Sequence, residues 1–156
     1  MSQQGIRGYY QLTSTIEEQL RGTEFTNTVS IGDISKVNLN KQDIFPLAHM
    51  IVNSVSAEEQ VLRFNISILA CDIVDQSKDI TTDRFTGNDN EQDILNTQLL
   101  VLNKLIQKLR MGSLHTDMYQ LEGNPSLTPF HDRFENQLAG WSATMDILIY
   151  NDIYIC

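Results

Sequence analysis

Cysteine is scarce in this chain of 156 residues: Cys71 sits inside an alternating apolar run and Cys156 is the last residue. Two thiols placed so make no disulfide framework, and no signal-peptide apolar core precedes them, so a reducing compartment is expected. Long apolar runs are missing too. Each is broken well short of the roughly 18 residues that span a bilayer, so no membrane association is expected. Basic side chains are in deficit, eleven Lys and Arg against twenty Asp and Glu, for a net charge of −9. That balance repels nucleic-acid phosphate at long range and argues against a dedicated DNA reader. It is equally the charge of a wall that lets DNA pass without adhering. Internal repeats and low-complexity tracts are absent.

The motifs of common catalytic sites are also missing. His49, His115 and His131 stand apart, with neither an H-E-x-x-H pair nor a cysteine at metal-ligand spacing, and read as surface or strand histidines. "GNDNEQD" (87–93) has one glycine before a helix start and lacks the P-loop lysine, so no phosphate cradle is expected. Phe85, Phe130 and Phe134 flank single arginines without forming a basic and aromatic platform for single-stranded nucleic acid. Asp72, Asp75, Asp79, Asp83, Asp89, Glu91 and Asp93 crowd one segment, yet the spacing of a calcium loop is absent, and a solvated acidic loop is the simpler reading. Cys71 in an alternating strand packs as a small apolar residue; no positioned base marks it as a nucleophile. No cofactor, metal site or catalytic residue is expected.

What is present is pattern. A chain of this length suits one domain, 1–156, that buries enough surface to need no staples. Residues 1–8, "MSQQGIRG", read as an N-terminal arm, and 151–156 as a C-terminal tail. Leu12, Ile16 and Leu20 recur at helical spacing, Ser14 and Glu17 have capping-box spacing that would start a short helix late, and Gly22 stands where a helix would end. "NTVSIGDI" predicts a short strand and a turn at Gly32-Asp33, and "SKVNLNKQDIFP" an edge or loop segment stopped by Pro46. Residues 47–55 and 60–74 predict a hairpin across "SAEE". In its second strand Leu62, Phe64, Ile66, Ile68 and Ala70 alternate with more polar neighbours, as in a sheet with one buried face.

The longest helix is predicted from Asn90, a good N-cap, to Gly112. Glu91 and Asp93 in its first turn and Lys104, Lys108 and Arg110 toward its end complement the macrodipole. Leu95, Leu99, Leu102, Ile106 and Leu109 form its apolar stripe, and Ile94, Leu100, Val101 and Leu105 widen it beyond one sheet face. A loop holding Pro125 and Pro129 follows. Trp141, Ala143, Met145, Ile147 and Ile149 then alternate along a last strand or strand pair. The expected class is α+β, a central antiparallel sheet with the long helix and a shorter N-terminal helix packed on it.

The blocks "FTGNDNEQDILNTQLLVLNKLI" and "PFHDRFENQLAGWSATMDILI" resemble stretches of small proteins in tailed-bacteriophage head–tail modules. Over residues 9–156 the layout is similar to tail terminator and tail completion (head–tail joining) proteins. The resemblance implies a structural virion protein, assembled in the host cytoplasm as a homo-oligomeric ring in the neck or tail. A portal-side connector or adaptor protein and tail proteins would flank the ring, and DNA would pass nearby without specific binding. Terminator and other neck ring component stay open, and no catalytic motif is carried over. On this reading Leu100, Val101 and Leu105 are the expected subunit contact, and Asp75, Asp79, Asp83 and Asp89 a partner-contact or lumen loop. The competing readings are a monomeric α+β binding or regulatory module and, least favoured, a metal-dependent hydrolase built on the acidic loop.

Overall fold

Alternation along one strand organises the molecule. In the computed structural model, which describes residues 9–33, 44–74, 91–111, 119–133 and 138–150, Phe64, Ile66, Ile68 and Ala70 are buried at every second position. They lie on a strand at the middle of a five-stranded sheet. In chain order the elements are α1 (Tyr9–Arg21), β1 (Thr28–Ile31), β2 (Leu47–Ala57), β3 (Val61–Ile73), α2 (Glu91–Met111), β4 (Gln120–Arg133) and β5 (Leu138–Tyr150). The strands lie in the order β1-β2-β3-β5-β4. The class is α+β, as expected.

β2, β3, β5 and β4 pair antiparallel in that order, but β1 runs parallel to β2, pairing Thr28 with Leu47 and Ile31 with Met50. The sheet is therefore mixed rather than purely antiparallel. The first two N–H groups at that edge, on Asn27 and Thr28, donate to the Pro46 carbonyl, which follows a cis Phe45-Pro46 bond. Gly32 ends β1 with φ of 114°, where the turn was expected. The expected segment before Pro46 falls mostly on 34–43, outside the described residues.

The hairpin is longer than expected. β2 extends to Ala57, and Glu58 N–H closes the turn on the Val61 carbonyl at 2.9 Å. Between Val52 and Ser54 the register shifts, leaving Asn53 as the extra residue of a β-bulge.

β4 was expected as a loop because of Pro125 and Pro129; it is a 14-residue strand at the sheet edge. An edge strand has one side free of pairing, which is where proline is tolerated. The register also jumps between Glu122 and Ser126, and Gly123, at φ of 67°, takes a backbone conformation that costs a glycine little.

The core lies between one face of the sheet and the two helices. Phe64, Ile66 and Ile68 of β3 and Ala143, Met145 and Ile147 of β5 meet Val101, Leu102, Leu105, Ile106 and Leu109 of α2 and Leu12, Ile16 and Leu20 of α1 in one cluster. Ser14 lies inside α1, which starts at Tyr9, so the capping box expected there does not form and the helix is longer than that cap allowed. Gly22 follows the last helical residue, its N–H on the Glu18 carbonyl at 3.0 Å, as expected.

Candidate interaction surface

The physics of α2 decides which surface is left for a partner. Val101 and Leu105 are 1% and 3% exposed, inside the chain's own core. They have no surface to give a neighbouring copy, so the expected subunit contact is corrected at these two positions. The cause is α1. Lys108 lies on the same helical face as Val101 and Leu105, and its ammonium donates to the Gln19 side chain of α1 at 2.6 Å. The wide stripe of α2 thus serves two partners within one chain, the sheet and α1. Leu95 and Leu99 of the expected stripe are only half-buried, while Ile94 and Gln98 are buried instead. Trp141 of β5 fixes this rotation, its indole N–H donating to the Leu95 carbonyl at 2.8 Å.

Leu100 remains outside, 50% exposed. Across from it the chain leaving α1 carries Phe25, 41% exposed. Together with Gly22, Thr23, Glu24, Val101 and Lys104 they line an open hollow of about 470 Å³. A second hollow of about 260 Å³ shares Glu24 and Phe25 and continues toward the start of α2, past Pro46, Asp72, Asp93, Ile94, Thr97 and Gln98. The two form one groove, apolar at the Leu100 end and acidic at the Asp93 end. Gln98 is 2% exposed, and its side-chain amide makes no hydrogen bond among the described residues. A buried amide left so loses its hydration without compensation. Spacing alone could not reveal this groove, because one wall comes from residues 22–25, which carry no periodicity.

The sheet face away from the helices is polar over most of its width. Asn53, turned out by the bulge, donates to Asn65 at 3.0 Å and Ser67 at 2.8 Å; Asn65 donates to Asp146 at 2.8 Å, and Ser67 meets Thr144 at 3.1 Å. Arg63 pairs with Glu58 and reaches over β5 to Glu122 on β4. At one end of this face a small apolar cluster gathers Phe45, Leu47, Cys71, Phe130 and Leu138. Cys71 packs there as expected. Burial pushes its thiol up to about 12, aided by the neighbouring Asp72 carboxylate, so it stays protonated and a poor nucleophile. Asp72 is itself raised by burial, against the hydrogen bond it accepts from Ile73 N–H at 2.7 Å.

His49 is a buried strand histidine held at both nitrogens. The Gly32 carbonyl can only accept, so Nε2 carries the proton and donates to it at 2.7 Å, and Nδ1 accepts from the Ser30 hydroxyl at 2.6 Å. The ring thus ties β2 to the parallel edge strand β1. Burial holds its pKa below the usual 6.5, outweighing the Gly32 hydrogen bond and the Asp33 charge. Unfolded chains then bind the extra proton more readily, so stability is complete above about 6.5 and falls as pH drops through the folded value. Thermal melts are expected to lose stability at up to about 1.4 kcal/mol per pH unit in that window. A His49→Leu variant, weaker at neutral pH, should show a flatter acid slope.

Asp75, Asp79, Asp83 and Asp89 lie outside the described residues, as do Asn90, Gly112, His115 and Cys156. Among the described residues no three His, Cys, Asp or Glu side chains converge as they would around a metal ion, and no helix is long and apolar enough to cross a membrane. No family model matches the chain, and no curated protein matches it.

Proposed function

We infer that the chain is a structural subunit of a homo-oligomeric ring in the neck or tail of a tailed bacteriophage, bridging a portal-side connector and the tail proteins. The observation that carries this reading is apolar surface left over once the core has closed. Leu100 and Phe25 face one groove, both about half exposed, while Val101 and Ile94 of its lining are already packed in the core. A heterologous contact, groove on one copy and a different surface on the next, generates a ring when its rotation closes. Among the described residues the long strand β4 lies at the edge of the sheet, a place where a neighbour's strand can add. The acidic balance fits a channel that DNA crosses, because few counterions are released without Lys or Arg contacts.

Leu100→Lys tests the reading. An exposed helical position tolerates lysine, so unfolding stability is expected to stay within about 0.5 kcal/mol of the parent. The wild-type chain should sediment as a ring, alone or with its neighbouring ring, and the variant as a folded monomer. Labelled protein should also mark the neck or tail in images of purified particles. Wild-type protein that stays monomeric under both conditions and is absent from particles would sink the ring and leave the monomeric binding module.

A further inference from the structure

We propose that the N-terminal arm of one subunit, through Ile6 and Arg7, seats in the α1–α2 groove of the adjacent copy. This rests on the ring reading and names its contact. The groove asks for an apolar side chain beside a cation: Phe25 and Leu100 border its apolar half, Asp72 and Asp93 line the other, and Glu24 borders both. Lys104 stands only at the apolar end and turns a cation away from it. In "MSQQGIRG" Arg7 is the single charged side chain and Ile6 is its neighbour. Attraction between Arg7 and the acids fixes the direction in which the arm lies. The buried Gln98 amide, unpaired among the described residues, offers both a donor and an acceptor to an extended backbone.

Chain length makes the contact intermolecular. From Arg7 to Tyr9 the backbone spans at most about 7 Å. α1 then runs from Tyr9 to Arg21, and 13 helical residues place its ends about 18 Å apart. The groove begins beyond the far end, at Gly22. Arg7 cannot reach the acids of its own chain while α1 is intact. Threading each arm into the next copy repeats one head-to-tail contact, the kind that closes a ring.

The test mixes two full-length proteins in a Cys156→Ser background, one carrying Gly8→Cys and the other Thr97→Cys, under mild oxidation, so that Arg7 and the acids stay in place. Cys71 is buried and its thiol stays protonated. A heterodimeric disulfide is expected to form at least tenfold faster than when Gly8→Cys is mixed with Val55→Cys, whose exposed position lies on the β2–β3 hairpin. Circular dichroism confirms that each variant is folded. Equal rates overturn the proposal, and so does a double variant, Gly8→Cys with Thr97→Cys, that closes only within single chains. The sedimentation of wild-type protein keeps the two readings apart. Rings without the preferred link overturn the arm contact and leave the ring; a preferred link in protein that never exceeds a few subunits supports the arm contact and removes the closed ring.

Discussion

Replacing Val101 and Leu105 together with lysine unfolds this protein instead of releasing a folded monomer. Both side chains are within a few per cent of complete burial, in the cluster that joins α2 to the sheet and to α1. Removing each from the core forfeits about 1.5–3 kcal/mol of apolar burial. An ammonium left there costs several kcal/mol more, and lysine escapes that cost only by deprotonating or by forcing its head to solvent. The side chains packed around both positions belong to one hydrophobic cluster. The summed loss, on the order of 10 kcal/mol, matches or exceeds the whole stability of a typical domain, about 5–15 kcal/mol. Far-ultraviolet circular dichroism at 25 °C should show the cooperative melt gone. A folded double variant that merely fails to assemble would return these residues to the subunit contact. Leu100→Lys, one residue from Val101 but turned about 100° around the helix and half exposed, separates the two outcomes, since it should keep the melt.

That contrast shows where the sequence could be read and where it could not. The stripe of α2 was legible as helical, amphipathic and too wide for a single partner. Its second partner was not legible, because periodicity states how wide an apolar face is and says nothing of what covers it. α1 covers it, a helix whose own Leu12, Ile16 and Leu20 were visible from the start. β3 was read correctly because each side chain of a strand with one covered face reports its side. β1 was legible as a short strand but its direction was not: four residues in a parallel pair depend on β2 for their place, and direction leaves no trace in so short a pattern. β4 was hidden by Pro125 and Pro129, which argue against a strand unless one knows that it lies at an edge. The candidate site was legible only in part. Leu100 was named on the right helix, but Phe25, Glu24 and Gln98 join it through the tertiary fold and no local spacing announces them.

The same limit governs Gly140, a glycine that no turn explains and whose replacement by alanine should be among the most damaging single methyl additions in the chain. It sits inside β5, paired with Cys71 of β3 on one side and Phe130 of β4 on the other. A Cβ added there would lie 2.0 Å from the Ala70 carbonyl oxygen and 2.7 Å from the Cys71 Cα. Both are backbone atoms of the neighbouring strand, so no side chain can swing aside; the ladder must open. β3 and β5 are paired over their full length, from Val61 with Tyr150 to Ile73 with Leu138. A local displacement is therefore resisted by the pairing above and below it. Overpacking in a tight interior costs about 1–3 kcal/mol even where side chains can adjust. With backbone on the receiving side, Gly140→Ala should lose about 3 kcal/mol or more, which for a chain of this size lowers the melting midpoint by about 10 °C. Ser142→Ala, two residues along on the same face and opposite Leu69, removes a hydroxyl without adding bulk and should change stability by less than about 0.5 kcal/mol. Urea unfolding of the two variants side by side measures the difference. Equal midpoints would mean that β3 and β5 stand further apart at this row than their register implies, and that the apolar cluster around Cys71, Phe130 and Leu138 is looser than its burial indicates.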